Sequence, residues 1–151
     1  MRDEISTAMK AALKAKDQLA LGTMRLISAA LKDRDIAARS TGNAEGISDE
    51  EILGLLQTMI KQRTESAKMY RDGDRPELAE TEEQEILIIQ QFLPQQLDAV
   101  GMQVAIDLAI GETGATSVKD MGQVMAFLKK GYAGQMDFSA ASKAVKETLM
   151  G

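Results

Sequence analysis

The stretch Ile47–Arg71, ISDEEILGLLQTMIKQRTESAKMYR, has the clearest start, stop and period in this 151-residue sequence. The Ser48 hydroxyl is placed to cap a first helical turn, and Glu51, three residues later, can reach back to the Ser48 amide. Six residues then recur at steps of three and four and form one stripe, which is apolar except for Arg63. They are Ile52, Leu56, Met59, Arg63, Ala67 and Tyr70. The stretch therefore predicts a long helix around which the chain is arranged.

The residues after this helix predict a second helix that folds back along it. Gly73 is expected to take the left-handed conformation that closes the first helix, and Pro76 suits the first turn of the next. The returning helix should end near Leu93, because the ring of Pro94 disfavours helical geometry in the residue before it. A helical hairpin is thus expected mid-chain.

The hairpin assigns a partner to Arg63. If the two helices are antiparallel about Gly73, Arg63 lies across from Gln84, with Glu82 and Glu85 within reach. We therefore predict a partly buried structural ion pair between Arg63 and one or both glutamates. A metal or acid-base role for the carboxylate run that includes Glu80 and Glu83 is less favoured, because these residues share one helix and the chain has no His.

Composition favours an all-α fold and excludes several kinds of chemistry. Ten Met, two Pro and no Trp suit helices packed through aliphatic side chains. Without Cys there is no disulfide, thiol nucleophile or thiolate metal site. Without His there is no Ser-His or Cys-His pair and no His-ligated zinc. We expect no cofactor and no metal.

The net charge of −5 is distributed unevenly along the sequence. Residues 1–71 sum to +2, residues 72–98 to −7 and residues 99–151 to 0. General nucleic-acid binders usually show a basic domain, so affinity for RNA in the absence of a partner should be weak. The N-terminal residues resemble neither a signal peptide nor a membrane span, which predicts a cytoplasmic protein without membrane contact.

Two helices are predicted before the hairpin. The first should run to about Lys16, with Ile5, Met9, Ala12 and Leu13 inside, and the second from Gln18 to about Ala38. The inner face of the second is expected at Ala20, Met24, Ile27 and Leu31, widened by Leu26 and Ala30. Its cations Arg25, Lys32, Arg34 and Arg39 indicate a solvated face or, as the alternative, a phosphate-contacting one. The polar segment 40–46 predicts a mobile loop.

Three short helices are predicted after Pro94, enough to close a small core. Asp98, Ser117 and Asp137 are their expected caps. The inner face of the first is expected at Val100, Val104, Ala105 and Leu108. These features place a domain boundary near Gln95, which gives an N-terminal helical subdomain, 1–94, and a three-helix C-terminal subdomain, 95–151, with a hinge at 94–97.

Four segments of the sequence together resemble a known family. They are Met24–Lys32 (MRLISAALK), Ile60–Ser66 (IKQRTES), Phe92–Leu97 (FLPQQL) and Asp120–Met125 (DMGQVM). With these segments in order over almost the whole chain, the sequence resembles a stand-alone YqeY protein of the GatB/YqeY domain family. The resemblance implies a C-terminal subdomain like the tail of GatB, a subunit of the glutamine-dependent amidotransferase that converts mischarged Glu-tRNA or Asp-tRNA.

Three functions follow as hypotheses from this resemblance. The favoured one is a non-catalytic helical module linked to tRNA-dependent amidation or translation, with tRNA or a protein of the aminoacyl-tRNA machinery as partner. Any tRNA contacts are expected at the lysines of the tail. These are Lys119, Lys129, Lys130, Lys143 and Lys146. The alternatives are an accessory component with carbon–nitrogen ligase activity that uses glutamine as amido donor, and a protein-binding adaptor.

Overall fold

The computed structural model describes residues 1–151 and confirms the all-α prediction, with seven α-helices and no strand. The helices are α1 (Arg2–Ala15), α2 (Gln18–Ser40), α3 (Asp49–Asp72), α4 (Pro76–Gln90), α5 (Ala99–Thr113), α6 (Met121–Gly131) and α7 (Phe138–Met150). A 3₁₀ helix, Val118–Asp120, precedes α6. None of the helices combines the length and the apolar character that crossing a membrane requires.

The chain divides into two compact units, Met1–Leu93 and Pro94–Gly151. In the first unit α3 packs along α4, and α2 contacts both. Ile27 of α2, Ile52 and Leu56 of α3, and Ile89 of α4 are completely buried in one apolar cluster. The core of this unit is therefore shared by the hairpin and α2.

The start of α3 confirms the predicted capping box. Ser48 Oγ accepts from the Glu51 amide at 3.2 Å, and Glu51 Oε1 accepts from the Ser48 amide at 3.4 Å. These bonds satisfy amides that have no partner within a helix. The start of the central helix is thus encoded within four residues.

The second unit is a three-helix arrangement in which α5, α6 and α7 contact one another in every pairing. Ile106, Val124, Leu128 and Val145 lie at its centre, fully buried. The side chains of Asp98 and Asp137 accept backbone amides at the starts of α5 and α7, as predicted. Ser117 caps the 3₁₀ helix instead of starting α6 directly.

The turn between α3 and α4 corrects one backbone prediction. Gly73 has φ −90°, and it is Asp74 that takes the left-handed conformation, with φ 58°. Asp tolerates this region because its short side chain interferes little with the backbone. The returning helix α4 is also shorter than predicted, because it ends at Gln90 and the residues before Pro94 form a turn.

Several residues predicted to lie inside are exposed. In the first unit these are Leu13 of α1 and Leu26 of α2. In the second unit the predicted inner face of α5 is wrong for three of four residues: Ala105 is buried, whereas Val100, Val104 and Leu108 face solvent. The buried face of α5 consists of Ala105, Ile106 and Ala109. This helix is apolar around most of its circumference, so its period does not identify the face that packs.

Candidate functional site

Arg2, at the start of α1, joins three segments of the first unit. Its guanidinium donates to both carboxylate oxygens of Asp35 on α2, at 2.6 and 2.8 Å, and to the Ile47 carbonyl at 2.9 Å. Asp35 also accepts from the Ile47 amide at 2.9 Å. The pair therefore links α1, α2 and the residue that leads into α3.

The hydrogen bond from Arg2, followed by that from the Ile47 amide, lowers the pKa of Asp35 to about 2. The same bond to Asp35 raises the pKa of Arg2. Both groups remain charged at neutral pH, so the positive charge of Arg2 is matched locally by Asp35. Arg39 lies near enough to lower the pKa of Asp35 further.

The segment predicted to be a mobile loop is held to this junction. Asn43 donates its side-chain amide to the Gly46 carbonyl at 2.7 Å, and its backbone amide to the Ala38 carbonyl at 2.9 Å. Gly46 is buried with φ 89°. A Cβ on Gly46 would overlap Asp35 Oδ1 and lie 3.0 Å from Arg2 Nη2, so this position requires glycine.

A groove of about 450 Å³ lies beside this junction, between α1 and α2. Its apolar lining includes Ile5 and Met9 from α1 and Leu31 and Ile36 from α2. Lys32 and Arg39 also line it, and neither takes part in any of the five ion pairs of the structure. The groove therefore combines apolar surface with two unpaired cations.

The structure brings Arg63 and Glu85 together across the α3–α4 hairpin. Arg63 Nε donates to Glu85 Oε2 at 2.8 Å, and Nη1 donates to the Met59 carbonyl at 3.2 Å. The Arg63 side chain is 13% exposed and that of Glu85 18%. Glu85 directly follows Gln84, the residue that the predicted register places opposite Arg63.

Glu82 does not hydrogen bond to Arg63, although the hairpin register predicts both glutamates within its reach. Burial raises the pKa of Glu82, the charge of Glu85 raises it further, and Arg63 acts in the opposite direction. Of the other carboxylates in this run, Glu83 accepts from Arg71 at 2.8 to 3.1 Å on the hairpin surface. Two of the four glutamates are thus bound to arginine.

The five lysines named as tRNA contacts are all exposed in the second unit. Lys119 lies in the 3₁₀ helix, Lys129 and Lys130 end α6, and Lys143 and Lys146 lie three residues apart on α7. None of them forms an ion pair. They are therefore available to an anionic ligand, on three elements that pack against one another.

Helix α5 of the same unit has the opposite character. It contains Asp107 and Glu112 and no Lys or Arg. Val100, Val104 and Leu108 recur every fourth residue and are 73%, 64% and 48% exposed. We refer to these three residues as the α5 ridge. Together they form an exposed apolar row on one side of α5.

The comparison with known protein families gives a match over almost the whole chain. The family described as Yqey-like protein matches residues 2–149. The chain belongs to this family. This confirms the resemblance noted in the sequence, and it agrees with the all-helical structure.

One similar protein is "Altered inheritance of mitochondria protein 41, mitochondrial" from the yeast Vanderwaltozyma polyspora. The two are 31% identical over 120 residues, which cover 75% of this chain and 62% of the relative. The chain thus spans less than two thirds of the length of that protein. The name of the relative refers to inheritance of mitochondria.

Two features of the first unit are not predicted by the sequence patterns. Arg2 and Asp35 are 33 residues apart in the chain, and no motif in the sequence of α2 distinguishes Asp35 from the other charged residues of that helix. The short connection Lys16–Asp17 is a signal for the pair, because antiparallel helix hairpins are typically joined by two to five residues and bring the far ends of the two helices together. The second feature is the groove, which lies between the same two helices, α1 and α2.

Proposed function

We propose that this chain is a non-catalytic helical module that binds tRNA through the lysines of its second unit and acts with the translation or tRNA-amidation machinery. The observation that carries the proposal is the distribution of charge in that unit. All five lysines lie on the 3₁₀ helix, α6 and α7, together with the acids Asp120 and Glu147, whereas the two charged residues of α5 are both acidic. Exposed, unpaired lysines contact phosphate oxygens without reading sequence.

The charge balance limits how tightly such a module binds. Residues 99–151 have no net charge, so only the local arrangement of the lysines favours a polyanion. Binding through phosphate contacts releases counterions and weakens steeply with salt. We therefore expect modest affinity, with tRNA recognised by shape and phosphate positions or together with a protein partner.

The absence of Cys and His supports a role without catalysis. Release of ammonia from glutamine requires an activated nucleophile, which these 151 residues do not offer as a Cys-His or Ser-His pair. If the chain works in carbon–nitrogen ligation with glutamine as amido donor, we propose that it does so as an accessory component. A partner would then supply the amidase and kinase steps.

The experiment uses the full chain and a transcribed tRNA, with the dissociation constant measured across a salt series. Changing Lys129, Lys130, Lys143 and Lys146 to Ala should weaken binding at low salt. The slope of log K against log salt concentration should become shallower by about 0.7 to 0.9 for each phosphate contact that is lost. The matched control removes four exposed lysines of the first unit. They are Lys10, Lys14, Lys61 and Lys68. Equal affinity of the two variants at every salt concentration would reject the assignment.

A second candidate function, a protein-binding adaptor, is favoured by the α5 ridge. A partner seated there would cover three apolar side chains that now face water. Replacing Val104 with Lys should abolish capture of that partner from a native lysate while leaving tRNA capture unchanged. If the Val104→Lys variant captures both the partner and tRNA as the unmodified chain does, the α5 ridge is not a binding surface.

We propose the cytoplasm as the place of action, as expected from the sequence. The name of the yeast relative points to mitochondria, so fractionation of cells that express the tagged chain is the direct test. Recovery in the mitochondrial fraction would reject the cytoplasmic assignment.

A further inference from the structure

The groove between α1 and α2 is long and open along one side of a helical hairpin. Helices α1 and α2 are joined by only Lys16 and Asp17. Arg2 at the start of α1 contacts Asp35 near the end of α2, so the two helices run antiparallel. Ile36 at the edge of the groove is 51% exposed although it is a large aliphatic residue. Apolar surface along the groove is therefore open to a ligand.

Two exposed cations of α2, Lys32 and Arg39, line the groove, and Arg25 lies one heptad further along the same helix, outside the lining. Arg25, Lys32 and Arg39 follow one another at intervals of seven residues, so they lie on one face of the helix. The backbone rises about 10 Å from each of these cations to the next. All three are exposed, and none forms an ion pair. The α2 side of the groove therefore carries the positive charges of Lys32 and Arg39, with Asp35 between them already bound by Arg2.

This arrangement selects among anionic ligands. A single phosphate or carboxylate held between Lys32 and Arg39 would leave the apolar lining of the groove in water. A nucleic-acid backbone would satisfy the charges and leave the apolar lining in water. An amphipathic helix satisfies both, because its apolar stripe enters the groove while acidic residues seven apart return to the same flank.

We propose that the groove between α1 and α2 binds an acidic amphipathic helix of a protein partner. Acidic residues seven apart in that helix pair with Lys32 and Arg39 of the groove, and a third can reach Arg25 one heptad beyond it. Its apolar residues contact Met9 and Ile36, the less buried apolar residues of the lining. The site lies wholly within the first unit, so it is independent of the tRNA contacts proposed for the second.

The first test measures binding of designed helical peptides to the full chain. The probe has three heptads with Leu on one stripe and Glu at one flanking position of each heptad. A control peptide of the same composition has its Glu residues on the face opposite to Leu. We expect the probe to bind at least about tenfold more tightly than the control and to shift the methyl signals of Met9 and Ile36. Equal binding of the two peptides, or shifts confined to other residues, would overturn the proposal.

The second test exchanges the charges. Lys32→Glu combined with Arg39→Glu should lower the affinity of the chain for the probe peptide about tenfold. The same double variant should bind a peptide in which each flanking Glu is replaced by Lys. The matched control is Lys61→Glu with Lys68→Glu, since these exposed lysines are also seven apart, on α3. The control should bind like the unmodified chain.

Two further outcomes would overturn the proposal, one from the charge exchange and one from the unmodified chain. One is an equal loss of affinity in both double variants, which would indicate net charge alone. The other is a single-stranded RNA oligonucleotide that shifts the Met9 and Ile36 methyl signals of the unmodified chain when the probe peptide does not, which would reassign the groove to nucleic acid. The methyl shifts are measured on the unmodified chain, so this second outcome does not depend on how well a variant folds.

Discussion

Arg63 is the charged residue on the inner stripe of α3, and its position explains why it must be paired. Burial removes most of the water that would solvate the guanidinium, so the bond to Glu85 and the one to the Met59 carbonyl replace it. Removing Arg63 alone would leave Glu85 buried without a counter-charge and close to Glu82, whose pKa burial already raises. The cost of the change is therefore set mainly by the charge left behind.

We predict that Arg63→Ala lowers the free energy of unfolding by about 3 kcal/mol, as is typical when one partner of a buried pair is removed. Lys68→Ala on the outer face of the same helix should change it by no more than about 0.5 kcal/mol. Urea unfolding of both variants provides the measurement. A loss for Arg63→Ala no larger than that for Lys68→Ala would contradict a structural role.

A double-mutant cycle identifies which glutamate carries the interaction. Arg63→Ala and Glu85→Ala should be non-additive by about 1 to 3 kcal/mol, because each removes the same bond. Glu82→Ala should couple to Arg63→Ala more weakly, since Glu82 makes no hydrogen bond to it. The reverse order would place the pair on Glu82 and shift the hairpin register.

The Arg2–Asp35 pair predicts a pH dependence of stability. The folded-state pKa of Asp35, about 2, lies below the usual value of 3.8, so the pair stabilises the fold above pH 3.8 and the contribution is lost as pH falls toward 2. The free energy of unfolding of the unmodified chain should therefore exceed that of Asp35→Asn by a constant amount above about pH 5. Below pH 3.8 the difference should shrink. A difference that grows on acidification would have the wrong sign.

At the scale of elements, local signals were sufficient where one short segment determines the structure. The capping box of Ser48 and Glu51 set the start of α3 from four residues, and Pro76 set the start of α4. Periodicity failed for α5, because a helix that is apolar on most sides has no preferred inner face in its own sequence. The packing of Ile106 against α6 and α7, which no local pattern encodes, made that choice.

The segment between α2 and α3 offers a matched pair of glycines. Gly42 and Gly46 both have positive φ, 95° and 89°, but a Cβ at Gly42 would meet open space, whereas one at Gly46 would overlap Asp35. Gly42→Ala should cost about 1 kcal/mol for the left-handed backbone alone. Gly46→Ala should cost more, because the Arg2–Asp35 pair must also move.

Comparison of the two free energies of unfolding isolates the close approach at Gly46. Equal losses for the two variants would mean that Asp35 can move aside without cost. That result would also weaken the view that the junction of α1, α2 and Ile47 is fixed in place.

At the scale of the whole molecule, the two units have separate apolar cores, each with its own set of fully buried residues. Residues 94–97, which the sequence predicts to be a hinge, all belong to the second unit, Pro94–Gly151. Gln96 donates to the carbonyls of Pro94 and Gly134, and the Leu97 amide donates to the Gln135 carbonyl at 2.8 Å. The sequence analysis did not predict these bonds, because they join residues about 38 positions apart in the chain.

Limited proteolysis of the full chain should therefore cut before Gln96, in the turn that follows α4, and leave a folded fragment that contains α5 to α7. Such a fragment has fewer than 60 residues, so its stability margin is small, and the bonds of Gln96 and Leu97 to residues 134 and 135 contribute to it. Gln96→Ala should accordingly shift the cleavage toward residue 97 and shorten the lifetime of the fragment. Mass spectrometry of the digest and circular dichroism of the isolated fragment measure both effects. A fragment that loses its helical signal as soon as it is separated from residues 1–93 would show that the second unit depends on the first for its fold.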